Sequence, residues 1–249
     1  MPNSGSRRWA VATIASMIAI CAPLRVAAQD INALHDAIGR SIIASFRERG
    51  LECRTASIDS LNERIFATLI KRGSLKNSPQ VFIFNLPKAN AYAIPGDRII
   101  FTSKMLQFIG NIEEYVGILM HEVGHVVHQH TRSHLIAGTA RWLFFGDGAA
   151  GGLGQLALLK FSRVQEEEAD EFAVSALANL GLKATGLSAV LKRMSSRSTD
   201  TELTALLSDH PTTAAREARL RQLELSTPTK HEQIALPNWT ALQAVCGGS

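Results

Sequence analysis

Cysteine is scarce in this sequence: Cys21, Cys53 and Cys246 are the only three in 249 residues. Structural metal sites are usually closed by four cysteine or histidine ligands, and such a site is the least favoured reading here. Aromatic residues are also few, at 6%. A large excess of charge is missing as well. The formal net charge is +4, but Arg7, Arg8 and Arg25 precede the first acidic residue, and without them 23 basic residues face 22 acidic ones, leaving +1. No basic stripe remains to follow a phosphate backbone, so no nucleic-acid partner is expected. There is no internal repeat, and no tetratricopeptide pattern supplies a client-docking array. Hydrophobic residues at 46% and charged residues at 19% are ordinary for a folded chain and argue against a disordered or fibrous one.

The first residues read as an export leader. Arg7 and Arg8 precede the apolar run "WAVATIASMIAICAP", and "VAAQD" offers small residues for cleavage after Ala28. The run is short for a bilayer span of about 20 residues. Lipidation at Cys21 fits less well, because bulky Ile20 precedes it. A removed leader over residues 1–28, with no evident membrane span after it, points to a Gram-negative periplasm, although secretion would need the same signal. In an oxidising compartment, Cys53 and Cys246 are expected to pair and tie the tail to the N-terminal region.

Helical spacing recurs from Asp30 to Arg72, through Leu34, Ile38, Ile42 and Phe46 and again through Leu61, Ile65 and Leu69. "KRGSLKNSP" breaks it. "VFIFN" (Val81–Asn85) then predicts a strand, and "ANAYAIPGDRIIFTS" two more around a Pro95-Gly96-Asp97 turn. One or two helices follow from Glu113 to about Leu143. Gly146–Gly154, "GDGAAGGLG", is too glycine-rich for a regular helix and separates the apolar arms "LIAGTARWLFF" and "QLALLKF". Each arm is too short to cross a bilayer, and Arg141 and Asp147 interrupt the run. The arms fit core helices on a flexible loop, or a lid or membrane-surface element near a cleft. A helix resumes after Phe161 and ends near Gly181, "TGLSAVLKRM" adds another, and a last one reaches Leu225 with Asp209 or His210 as its cap.

Chemistry concentrates in "GILMHEVGHVVHQH" (Gly117–His130). His121 and His125 are four residues apart, so one helix face presents both to a single ion. Glu122 lies beside the first, placed to take a proton from an activated water. This H-E-x-x-H arrangement serves zinc proteases, but three fixed positions also occur in buried helices that merely carry histidines. A third ligand has to be found. The extension with a glycine and a third histidine fails, since His128 and Thr131 occupy those positions. Downstream, "FSRVQEEEAD" offers Glu166 with Asp170 one turn later. A carboxylate from a second helix completes a His₂Glu hydrolase site, and Asp170 is then suited to accept a ring N–H from a ligand histidine. Glu167 and Glu168 read as a solvated helix face, and His128, His130 and His134 as core or surface residues without a ligand role.

Several segments together resemble the zinc metallopeptidases of family M48. They are "NAYAIPG", "IIFTSKML", "HEVGHVVHQH", "SRVQEEEAD" and "HPTTAAR", in this order across roughly residues 80–225. The resemblance selects Glu166 as third ligand of one zinc ion held with His121 and His125. It implies an α+β, mainly helical, zincin-like (gluzincin) domain at 76–225, with a small sheet whose edge strand faces the active-site cleft. Residues 29–75 form an N-terminal helical segment and 226–249 a tail. It further implies that Asn90 and Ala91 touch an extended peptide substrate and that His210 and Arg216 stand near the reacting carbonyl. His210 has a second reading, as a group that fills the open zinc position and keeps the enzyme latent. The activity implied is endopeptidase action on unfolded or misassembled cell-envelope proteins, with peripheral membrane contact through residues 135–161. The competing class is a zinc-binding assembly factor that does not cut its clients.

Overall fold

The computed structural model describes residues 30–53, 56–136, 160–197, 209–210 and 213–242. The leader, the Gly146–Gly154 loop, most of both apolar arms and Cys246 lie outside them. Among the described residues, no helix is long and apolar enough to cross a membrane.

Helix α1 covers 30–48. Of its predicted stripe, Ile42 and Phe46 are buried while Leu34 is 43% exposed, and the first half of the helix packs instead through Ile31 and Ile38 against Leu135. A two-residue strand, β1 (Glu52–Cys53), interrupts the expected helical region. It is too short to leave an alternating pattern. Helix α2 (Ala56–Lys71) then buries Ile58, Leu61, Ile65 and Leu69 along one face.

Strands β2 (Gln80–Phe84), β3 (Ala91–Ile94) and β4 (Arg98–Thr102) complete a mixed sheet of order β1-β2-β4-β3. β1 and β3 run antiparallel to their neighbours, and β2 pairs parallel to β4. β3 is therefore an edge strand. The turn joining it to β4 places Gly96 at φ 79 and Asp97 at φ 56. Side chains alternate between two cores. Val81, Ile83, Ala91, Ile99 and Phe101 face the main core with α2. Phe82, Phe84, Tyr92, Ile94 and Ile100 pack with Ile42, Ile43 and Phe46 of α1. Both faces are covered, which explains why β2 and β4 read as unbroken apolar runs.

After the short α3 (Ser103–Phe108), α4 (Ile112–Val127) runs through the middle of the molecule, capped by Asn111, whose side chain accepts from Glu114 N. Nearly every position from Ile112 to His125 is buried, as expected of a helix packed on all sides. Gln129, at φ 54, separates it from α5 (His130–Ile136). Helix α6 (Arg163–Asn179) opens with a Ser162–Gln165 capping box, and α7 (Thr185–Ser195) follows. Helix α8 (Ala214–Ser226) is capped by Thr213, which accepts from Arg216 N. The expectation that Asp209 or His210 caps this helix is corrected: both lie ahead of the cap and are buried elsewhere.

Gly124 sets the approach of α4 to α6. A Cβ there would meet Ala169 Cα at 2.8 Å and its carbonyl oxygen at 2.9 Å. Because these atoms are backbone, they cannot swing aside. Gly124→Ala is expected to destabilise the protein by about 1–3 kcal/mol and to weaken metal binding, since the shift occurs between His125 and Glu166. Denaturant unfolding and metal titration of the variant check both effects.

Candidate metal centre

The four-residue spacing on α4 brings His121 Nε2 and His125 Nε2 to 3.2 Å of each other. From α6, Glu166 places one carboxylate oxygen 3.5 Å from His121 Nε2 and the other 3.5 Å from His125 Nε2. A tetrahedral zinc ion with ligands at 2.0–2.1 Å needs donor–donor edges of roughly 3.3 Å. The three donors fit that requirement, and two imidazoles with a carboxylate suit zinc. His210 joins them, its Nδ1 being 3.2 Å from His121 Nε2 and 3.0 Å from Glu166 Oε1. All four side chains are buried and their donor atoms lie within 4.8 Å of one another.

Further groups orient these donors. Asp170 Oδ1 lies 3.0 Å from His121 Nδ1. Arg216 donates to both Asp170 oxygens at 2.8 Å and reaches Glu166 at 2.6 Å. Its guanidinium thus sits on the two carboxylates rather than standing alone beside a substrate carbonyl. Phe161 stacks on the His125 ring with centroids 3.8 Å apart. Glu167 pairs with Arg219 at the surface. Two expectations need correcting here. His130 is neither ordinary core nor surface, because its Nδ1 lies 2.8 Å from His125 Nδ1. Glu168 is not merely solvated, because it lies 2.9 Å from His130 Nε2.

Electrostatics follow from burial and these pairings. Burial alone would lower the pKa of His121, but the hydrogen bonds with Asp170 and Glu166 outweigh it and hold the ring at about 9. Burial wins at His125, which stays neutral with a pKa well below the usual value. Burial would raise Glu166, yet His210, His121 and His125 hold it far below the carboxylate range. Asp170, buried but bound to Arg216 and His121, is lowered to about 2. Without metal, His121 is therefore protonated at neutral pH and must release that proton to coordinate. Metal affinity is expected to fall about tenfold per pH unit below pH 9 and to be nearly level above it. Calorimetric titrations in buffers of different ionisation enthalpy, repeated across pH, measure the proton released.

Glu122 is fully buried, and among the described residues neither carboxylate oxygen has a hydrogen-bond partner. The nearest ring nitrogen is His210 Nε2, 3.6 Å from Oε1. The residues expected to touch substrate are internally engaged. Asn90 Nδ2 donates to Asp209 Oδ2 at 2.8 Å, and Ala91 N donates to Asn90 Oδ1 at 2.9 Å. Asp209, raised to about 6 chiefly by burial, is a site neighbour that the sequence did not single out. Cys53 is disulfide-bonded. Its expected partner, Cys246, lies outside the described residues.

Two histidines and a glutamate on adjoining helices, with the buried carboxylate of Glu122 beside them, are the donor set of a metallohydrolase. Residues 57–224 match the model of peptidase family M48, from the second residue of α2 into α8. The chain belongs to peptidase family M48. Membership implies metallopeptidase activity, and the peptidases of this family depend on zinc. No curated protein matches the chain.

Proposed function

We propose that the protein is a zinc-dependent endopeptidase that hydrolyses unfolded or misassembled cell-envelope proteins in the periplasm. The observation carrying this reading is the convergence of His121, His125 and Glu166 at tetrahedral spacing beside the buried carboxylate of Glu122, which accepts no hydrogen bond among the described residues. Zinc held by His121, His125 and Glu166 would supply an acidified water and polarise the scissile carbonyl. Glu122 takes the proton of the attacking water and passes it to the leaving amine nitrogen. Asp170 and Arg216 hold His121 and Glu166 in place through their hydrogen bonds. An extended peptide adds to the edge of β3, where main-chain pairing accepts many sequences, as an unfolded client requires. Asn90 and Ala91 reach it once Asn90 parts from Asp209.

The disulfide at Cys53 and the leader-like first 28 residues support an oxidising compartment outside the cytoplasm. Ile136 and Val164, which flank the segment 137–159, are 60% and 64% exposed and support peripheral contact with a membrane surface. A non-catalytic assembly factor would have no use for a buried carboxylate at Glu122.

A second reading concerns regulation. With Nδ1 at 3.0 Å from Glu166 and 3.2 Å from His121, His210 stands as a fourth donor, an arrangement suited to a latent enzyme. Latency predicts that His210→Ala cleaves faster than wild type. Stabilisation of developing charge by His210 predicts slower cleavage. The main reading is tested with unfolded casein: the zinc-loaded protein should degrade it, a chelator should stop degradation, and added zinc should restore it. Degradation that persists without zinc would sink the proposal.

A further inference from the structure

Both metal-facing histidines have outer partners, and the two are built differently. His121 Nδ1 meets the Asp170 carboxylate directly, at 3.0 Å. His125 Nδ1 meets another imidazole instead: His130 Nδ1, 2.8 Å away, whose far nitrogen Nε2 lies 2.9 Å from Glu168 Oε2. His130 is only 3% exposed. It opens α5 directly after Gln129, whose φ of 54 lies in the left-handed region that side chains other than glycine rarely adopt. Strain of this kind persists where the surrounding structure imposes it, often at functional sites.

Counting hydrogens leaves one consistent arrangement. A neutral His125 that turns the lone pair of Nε2 toward the metal carries its proton on Nδ1. That N–H donates to His130 Nδ1, which must accept. Neutral His130 then carries its own proton on Nε2 and donates it to Glu168. We propose that His130 and Glu168 form a hydrogen-bond relay of fixed direction that locks the tautomer and ring orientation of His125 and so sets the affinity for zinc. The inference rests on the zinc-peptidase reading. Neither residue touches metal or substrate, so both are positioning residues.

The same geometry bears on a competing use of these side chains. Donor atoms of His128, His130 and Glu168 are close enough to hold a cation themselves. A cation on His130 Nε2 would move the proton to Nδ1, where it would face the N–H of His125. Two donors would then oppose each other. With zinc on His125, the relay therefore excludes a second ion.

The test measures zinc affinity of the full chain by chelator competition, together with nitrogen NMR of the histidine rings. His130→Ala should bind zinc about 10–100-fold more weakly than wild type. His130→Asn, whose side-chain oxygen falls near the lost Nδ1 and can accept, should recover most of that loss. Glu168→Gln, at a partly exposed position, should give a smaller loss with the metal-free fold intact. In zinc-loaded wild type, protons should reside on His125 Nδ1 and His130 Nε2. Equal weakening in the Ala and Asn variants, a His130 protonated on Nδ1, or a second zinc lost on His130→Ala would overturn the relay. Undiminished affinity in all three variants would overturn the relay alone. A wild type that binds no zinc would remove the peptidase reading and the relay together.

Discussion

Glu122→Gln is expected to lower kcat for peptide hydrolysis by about 10²–10⁴-fold while one zinc per chain is retained. Glu122 lies between the two α4 histidines yet shares no hydrogen bond with either, and among the described residues neither of its oxygens has a hydrogen-bond partner, His210 Nε2 standing 3.6 Å away. A carboxylate held this way is costly to the fold, since burying a polar group without a partner loses its hydration. The amide keeps the shape and removes the charge. The melting temperature of the variant should therefore rise as its activity disappears, the trade expected where a strained group serves catalysis. Kinetics, metal analysis and thermal unfolding on one preparation separate the effects. Activity lost in step with zinc would instead make Glu122 a prop for the ligands.

Arg216→Met should have the largest effect on stability. The wild-type guanidinium is buried against Asp170 and Glu166, and Met leaves both carboxylates without it. Breaking a buried pair from one side costs about 3–5 kcal/mol. The cost should be greatest in metal-free protein and smaller with zinc, because the ion restores positive charge beside Glu166. Acid titration gives a second handle. Asp170, lowered to about 2 in the fold from an ordinary value of 3.8, contributes stability that is present above pH 3.8 and lost as pH falls toward 2. Arg216 supplies much of that lowering, so the variant should lose less stability over the same range. Denaturant unfolding with and without chelator, from pH 7 downward, measures both predictions. Equal destabilisation with and without zinc would show that Arg216 acts through packing.

Much of this centre is legible in the sequence because helices turn spacing into geometry. The i, i+4 intervals of His121 with His125 and of Glu166 with Asp170 need no tertiary knowledge to share a face. That the two helices meet depends on Gly124 lying against Ala169, a contact that no local pattern announces. The sheet reads well where runs are apolar, yet its order, with β4 between β2 and β3, is set by tertiary packing. His130 and Glu168 read as residues without a role at the site for a similar reason. One histidine among the three that follow the motif and the third glutamate in a row carry no periodic signal, and a left-handed Gln129 cannot be foreseen from glutamine. The Asn90–Asp209 hydrogen bond spans 119 residues. Thr213 caps the last helix, and Asp209 and His210, equally suited by residue type, do not, because those two are drawn into the site.

Anomalous scattering at the zinc edge, from crystals of the zinc-loaded protein, tests the central claim most directly. The account predicts a single full peak at about 2.0–2.2 Å from His121 Nε2, His125 Nε2 and a Glu166 oxygen, with Glu122 near the ion but not bound to it. A peak on His128, His130 and Glu168, or none on the α4 histidines at saturating zinc, would contradict it.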